Sequence, residues 1–270
     1  MALEPRALPS PTIPFPTKTI PLPAISVADR RPSAATAAMA PAAPAVSLPT
    51  VAVPSLPGLQ DALRRDLPYA AAKRALDIVA AAVLLVLLFP LFAVVALAIV
   101  WESGFPILYR GERVGRFGQT FKVAKFRSMR ANADQGPHAA FVRSLMRDAA
   151  SCSVYKVPQD SRITRVGALL RRTSLDELPQ LWNVLRGEMS LVGPRPDVAY
   201  AVTDYADWMH RRLLVKPGIT GLWQVSGRSR VSLLDMYRLD LTYVAGASLL
   251  FDLEILMRTV PVVLGRDGAA

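Results

Sequence analysis

One stretch of the chain has no polar rhythm at all. Ile78 to Trp101 runs 24 residues without a charge. A straight helix that long rises ~36 Å, enough for a ~30 Å hydrocarbon core. Pro90 sits near its middle and lacks the amide that would bond the Val86 carbonyl, which predicts a kink. Basic residues flank both ends: Lys73 and Arg74 before, Arg110, Arg113 and Arg116 after. Such flanks belong on the cytoplasmic side, so a kinked helix that enters and leaves by one leaflet is expected rather than a span. Just ahead, Asp61 to Asp77 sets Arg64, Arg65, Lys73 and Arg74 among alanines and leucines. It reads as a basic amphipathic helix suited to an anionic membrane surface.

Beyond residue 101 the pattern becomes that of a soluble-facing domain. Ile107 to Met129 alternates like a hairpin, with Phe117-Gly118-Gln119 as its turn. Helices are expected over Ala139 to Ala150, Val166 to Arg172, Leu175 to Leu185, Tyr200 to Leu214 and Ser232 to Tyr243. Gln159 to Thr164 reads as a polar loop and Lys216 to Gly221 as a turn. Leu249 to Leu264 is apolar on most sides, and reads either as a core helix or as a second membrane contact. Residues 1–60 hold 13 of the 23 prolines and only six charges, a composition for a disordered, partly polyproline-II tail. The expected organisation is a tail over 1–60, a membrane segment over 61–101 and a catalytic domain over 102–270. The expected fold is mainly α with a small β-hairpin.

Charge narrows the partners. A net +11 and a pI of about 10.3 call for something polyanionic: nucleic acid, anionic lipid or a phosphorylated substrate. Aromatics make up 7%, without the interleaving that single-strand binding uses. Cys152 is the only cysteine, which excludes an intrachain disulfide and a zinc cluster, and His138 and His210 have no ligand spacing.

The candidate chemistry lies in Thr173 to Pro196. Asp176 and Glu177 adjoin Arg171 and Arg172, and the stretch ends in Gly193-Pro194-Arg195-Pro196. A carboxylate beside guanidinium suits work on a phosphoryl group, where it attacks phosphorus or holds a divalent ion while arginine neutralises charge. The same residues also fit a capping box, Ser174 with Glu177, at a helix start. The two readings are compatible, since a helix N-terminus lowers a carboxylate pKa and keeps it ionised. In Pro-Arg-Pro, two prolines fix the backbone that presents Arg195.

Five ordered motifs are similar to one family. They are Lys73-Arg74-Ala75-Leu76-Asp77, Lys125-Phe126-Arg127-Ser128-Met129, Arg171 to Gln180, Gly193-Pro194-Arg195-Pro196, and Lys216 to Arg228. From Lys73 to about Leu264 the chain resembles the bacterial monotopic phosphoglycosyl transferases, which begin exopolysaccharide, capsule or glycan synthesis. The resemblance implies a monotopic protein of the bacterial inner membrane, with a Pro90-kinked re-entrant helix and a catalytic domain facing the cytoplasm. It implies transfer of a hexose-1-phosphate from a UDP-sugar to undecaprenyl phosphate, with release of UMP. Asp176 would be the nucleophile of a covalent phosphosugar intermediate. Glu177 would assist as metal neighbour or proton handler, with Mg2+ at the pair. Lys125 and Arg171 would line the site, Arg195 hold phosphate and Arg228 contact the nucleotide. The family often has serine before the helix-breaking proline, where this chain has Phe89. The alternatives are a membrane-tethered nucleic-acid-binding protein or a scaffold. No nucleic-acid motif is present, and an Asp-x-Asp motif of ordinary glycosyltransferases is also missing.

Overall fold

The computed structural model describes residues 67–130, 162–227 and 231–265. The proline-rich tail, the helix expected over Ala139 to Ala150, the first half of the Gln159 to Thr164 loop, and Arg228 lie outside the described residues. What is described is mostly helical, with two small two-stranded sheets.

The apolar stretch forms two helices, α1 (Leu67–Leu87) and α2 (Phe89–Ser103), bent by 61°. The break falls at Leu88, so Pro90 sits in the first turn of α2, where a missing amide costs nothing. Backbone bonding continues on both sides, from Leu88 N to Leu84 O and from Phe92 N to Leu88 O, each 2.9 Å. No described helix is by itself long and apolar enough to cross a membrane; the bent pair together is. Much of its apolar surface stands uncovered, including Val86 (78% exposed), Phe89 (68%), Leu97 (71%) and Trp101 (94%).

Of the stretch expected as a basic amphipathic helix, residues 67–77 form the start of α1, and residues 61–66 lie outside the described residues. From Leu67 the chain is already α1, and its polar residues face the protein. Lys73 Nζ donates to Asp252 Oδ2 (2.8 Å), Tyr243 Oη (3.1 Å) and Val192 O (3.1 Å). Arg74 donates to Val184 O (2.6 Å) and Leu185 O (2.7 Å). Asp77, buried, accepts from Leu191 N and Ser190 Oγ. The Lys-Arg-Ala-Leu-Asp motif thus pins the bent pair to the domain. At the other end, Arg127 donates to the carbonyls of Ser103 and Gly104, which close α2. Glu102 accepts from the first two amides of α3 (Arg165–Thr173), at 2.7 and 2.8 Å.

The expected hairpin is present: β1 (Leu108–Val114) and β2 (Thr120–Phe126) pair antiparallel from Leu108↔Phe126 to Val114↔Thr120. Phe117 in the turn is left-handed (φ 58°), and the Arg116 guanidinium lies over its ring. The helix expected over Leu175 to Leu185 is two pieces, a 3-10 turn (Leu175–Glu177) and α4 (Gln180–Arg186). Pro179 sits between them and starts α4. Tyr200 to Leu214 is likewise divided, into α5 (Ala199–Val202) and a 3-10 helix (Asp207–Leu214). Three residues per turn stack Met209 and Arg212 on one face, and both are buried there.

The turn expected at Lys216 to Gly221 contains β4 (Gly218–Thr220), parallel to β3 (Ser190–Val192) in the register Ser190↔Gly218 and Val192↔Thr220. Glycine makes this approach possible: a Cβ on Gly193 would lie 2.4 Å from Lys216 O, and one on Gly218 2.1 Å from Gly193 N. Then follow α6 (Leu222–Ser226), α7 (Leu233–Gly246) and α8 (Leu249–Leu264). The core reading of the last helix holds for one of its sides. Asp252 and Ile255 face the core, while Leu250, Leu253, Met257 and Val260 are exposed. The main core joins Ala81 of α1, Val123 of β2, Leu181 and Val184 of α4, β3, Tyr243 and Ile255. A second, around Tyr205, Met209, Met236 and Tyr237, lies under the Arg195 loop.

Candidate active site

The carboxylate pair sits on the 3-10 turn between α3 and α4. Ser174 is no N-cap. It ends α3 in the left-handed region (φ 58°), and its side chain caps nothing. The chain therefore reverses sharply, and Asp176 and Glu177 occupy a turn wedged between two helices and β2. They diverge in their surroundings.

Glu177 is saturated. Arg195 grips it bidentately, Nη1 to Oε2 at 3.0 Å and Nη2 to Oε1 at 2.6 Å. Lys125 Nζ donates to Oε1 (3.2 Å) and Gln180 Nε2 to Oε2 (3.0 Å). Burial alone would raise its pKa. The charges of Arg195 and Lys125, with their hydrogen bonds, outweigh burial and hold Glu177 well below the usual carboxylate range. Asp176 is the opposite case. It is buried, yet no hydrogen bond or ion pair to it is found among the described residues. Burial first, then the charge of Glu177, raise its pKa to about 6, against the pull of Lys125, Arg195 and Arg171. The lowered pKa expected from a helix N-terminus is not what results, because the turn is too short to carry a helix dipole and desolvation dominates.

Three of the four cations expected at the site come together. Lys125 reaches it from β2 and Arg195 from the loop after β3. Arg171, half-buried at the end of α3, is near enough to influence Asp176 and has no partner of its own among the described residues. Burial lowers the pKa of Lys125, with Glu177 opposing. Pro90, at the bend of the helix pair, is no part of this cluster.

The set admits a divalent cation through one carboxylate. Glu177 already accepts four hydrogen bonds. Asp176 has its oxygens uncommitted. No cluster of three or more potential ligand side chains occurs among the described residues. A single carboxylate completed by substrate phosphate and water is how Mg2+ is commonly bound, so the chemistry of the donor set fits that ion at Asp176.

Sequence reasoning missed the scaffold beneath Arg195. Arg212, 2% exposed, donates to Asp240 Oδ2 (2.6 Å) and to Asp197 and Tyr205. Asp197 also accepts from Tyr205 and Tyr237. The legible signal was Asp240 between Tyr237 and Tyr243 on the apolar side of a helix, since a lone acid there needs a buried partner.

Comparison with known proteins agrees with the geometry. The family model described as bacterial sugar transferase matches residues 68–266. The chain is 46% identical over 197 residues to the UDP-galactose-lipid carrier transferase of Erwinia amylovora, covering 73% of this chain and 41% of that protein. It is 42% identical over 198 residues to the exopolysaccharide production protein ExoY of Sinorhizobium fredii, covering 73% and 88%. It is 43% identical over 209 residues to the UDP-glucose:undecaprenyl-phosphate glucose-1-phosphate transferase of Caulobacter vibrioides, covering 73% and 71%. The chain thus spans well under half the length of the Erwinia protein. The match takes in the bent helix pair, Lys125, the Asp176-Glu177 turn and the Arg195 loop, and the chain belongs to the bacterial sugar transferase family.

Proposed function

We propose that this protein transfers a hexose-1-phosphate from a UDP-sugar to undecaprenyl phosphate through a covalent intermediate on Asp176, beginning the synthesis of an exopolysaccharide or glycan. One observation carries the reading: Asp176 is a buried carboxylate without a partner among the described residues, ringed by Lys125, Arg171 and Arg195, within the segment that matches the family. A structural carboxylate so placed would be paired; an uncommitted one is free to attack. The names of the relatives favour this substrate class.

In the first half-reaction an Asp176 oxygen attacks the sugar-linked phosphorus. The bond from that phosphorus to the bridging oxygen breaks, and UMP leaves with the electron pair. In the second, an oxygen of the acceptor phosphate attacks the same phosphorus and expels the Asp176 carboxylate, giving the diphosphate-linked sugar. Arg171 and the cationic edge formed by Lys125 and Arg195 neutralise the phosphoryl oxygens. Glu177 keeps Arg195 and Lys125 in place and charged, so two cations border the nucleophile without pairing to it. A magnesium ion held by Asp176 and the diphosphate would offset charge on the leaving group.

The acceptor places the reaction at a membrane. The bent pair exposes Val, Leu, Phe and Trp side chains on most sides. Each such side chain moved fully out of water contributes about 1.5–3 kcal/mol, so eight of them stabilise insertion by roughly 10 kcal/mol or more. We assign α1 and α2 to a re-entrant hairpin in the inner membrane, with the catalytic residues on the cytoplasmic face among its lipids. The exposed side of α8 rests at the same interface.

The test is product identity and a trapped adduct. With UDP-sugar and undecaprenyl phosphate the purified protein should release UMP. With donor alone, Asp176 should gain the mass of a hexose phosphate. Release of UDP, or an unmodified Asp176 in a protein that turns over, contradicts the mechanism.

A further inference from the structure

We infer that Arg212 is a positioning residue for this transfer, setting the backbone from which Arg195 reaches Glu177 at the edge of the nucleophile's site. The inference deepens the proposed function and rests on it. Arg212 does not touch the reacting atoms; it lies under the Gly193 to Asp197 loop.

The loop is fastened along its length. Gly193 N donates to Thr220 O (2.9 Å) and Pro194 O accepts from Gly218 N (2.9 Å). Arg195 O accepts from Arg212 Nη2 at 2.7 Å. Asp197 O accepts from Val114 N (2.9 Å), and its carboxylate from Arg212, Tyr205 and Tyr237. Arg212 joins the middle of that loop to α7, through Nε and Nη2 to Asp240 Oδ2 at 3.1 and 2.6 Å. Five hydrogen bonds use the whole planar fork of the guanidinium. An ammonium has three donors and no plane, so lysine cannot reproduce them.

Stability alone is a poor account of the cluster. A buried ion pair contributes little net stability compared with packed apolar side chains, because two charges must be desolvated. Here two aspartates and two tyrosine hydroxyls surround one arginine in a core that Val114, Val202, Met209 and Leu213 otherwise fill. What apolar residues could not supply is the bond to Arg195 O. That bond fixes the residue whose side chain forms the two-pronged contact with Glu177. A shift of the loop by about 1 Å would break that contact, and displacements of this size cost about 100-fold in rate.

The experiment is a double-mutant cycle on UMP release by the full chain in lipid nanodiscs. Arg212→Lys should lower kcat about 100-fold in the wild-type background. In an Arg195→Ala background, already slow, the same change should cost less than about threefold, because the group being positioned is gone. An equal loss in both backgrounds overturns the inference, since it shows that Arg212 acts through something other than Arg195. Thermal melts accompany each variant. Should Arg212→Lys fail to fold, Asp240→Asn keeps shape and removes one anchor of the fork, with a loss of about tenfold that again depends on Arg195. Failure of both to fold assigns the cluster to stability alone and also overturns the inference. If wild-type protein releases no UMP, the proposed function itself fails, and that result is separate from a missing coupling.

Discussion

Asp176→Asn should inactivate the protein and yet make it more stable. The carboxyl titrates at about 6 in the folded chain against an ordinary value of 3.8. Burial and the neighbouring Glu177 charge are responsible. The difference of about 2 units, at ~1.4 kcal/mol each, sets roughly 3 kcal/mol against the folded state at pH 7.5. The sign follows from linkage. A carboxyl whose pKa rises on folding holds its proton more tightly in the folded state. Its favourable contribution is complete below about pH 4 and is lost as pH rises through 6. Asparagine has nearly the same shape, carries no charge, and breaks no hydrogen bond, because Asp176 makes none among the described residues. The variant should therefore melt roughly 6–12 °C above wild type at pH 7.5, at ~2–4 °C per kcal/mol for a domain of this size. The gap should narrow to about a third as the pH falls to 4.5 and close below about pH 4. Tryptophan fluorescence during heating, in one detergent and with EDTA so that no cation rescues the wild type, reads both values. An asparagine variant that melts at or below wild type at pH 7.5, or a gap that ignores pH, refutes the picture of a desolvated, uncommitted nucleophile.

Removing divalent cations with EDTA should stop UMP release, and Mg2+ should restore it; full rate in excess chelator would show that Asp176 and its cations suffice. Gly193→Ala should destabilise the domain by about 3 kcal/mol, because its Cβ would lie 2.4 Å from Lys216 O and force β3 from β4. A chemical denaturation midpoint unchanged by that substitution would mean the strand contact is looser than it stands here. Single cysteines at Leu67 and Glu112, in a chain with Cys152 replaced, should both react with an impermeant thiol reagent only from the cytoplasmic side. Labelling of the two from opposite sides would make the bent pair a span.

How far the sequence could be read depended on the range of the interactions. The hairpin, α3 and α7 follow from local periodicity, and the structure has them within a few residues. The break at Leu88 was legible in Pro90, because proline acts on its own backbone. The Asp176-Glu177 pair, Lys125, Arg171 and Arg195 were legible as chemistry. Their division of labour was not, because it comes from contacts far apart in sequence. Lys125 is 52 residues from Glu177 and Arg195 is 18. Those contacts saturate one carboxylate and leave the other bare, so two neighbours in one turn acquire opposite pKa shifts. Lys73 and Arg74 make the same point from the other side. As sequence they were a charged membrane flank; in the structure they bond to Asp252, 179 residues away, and to the end of α4. A basic residue beside an apolar helix therefore carries two meanings, and only its partner decides between them. Here the partners are buried, so the charges hold the helix pair to the catalytic domain. The turn that bears Asp176 is in that way referenced to the bent helix pair through α3, which α2 caps with Glu102.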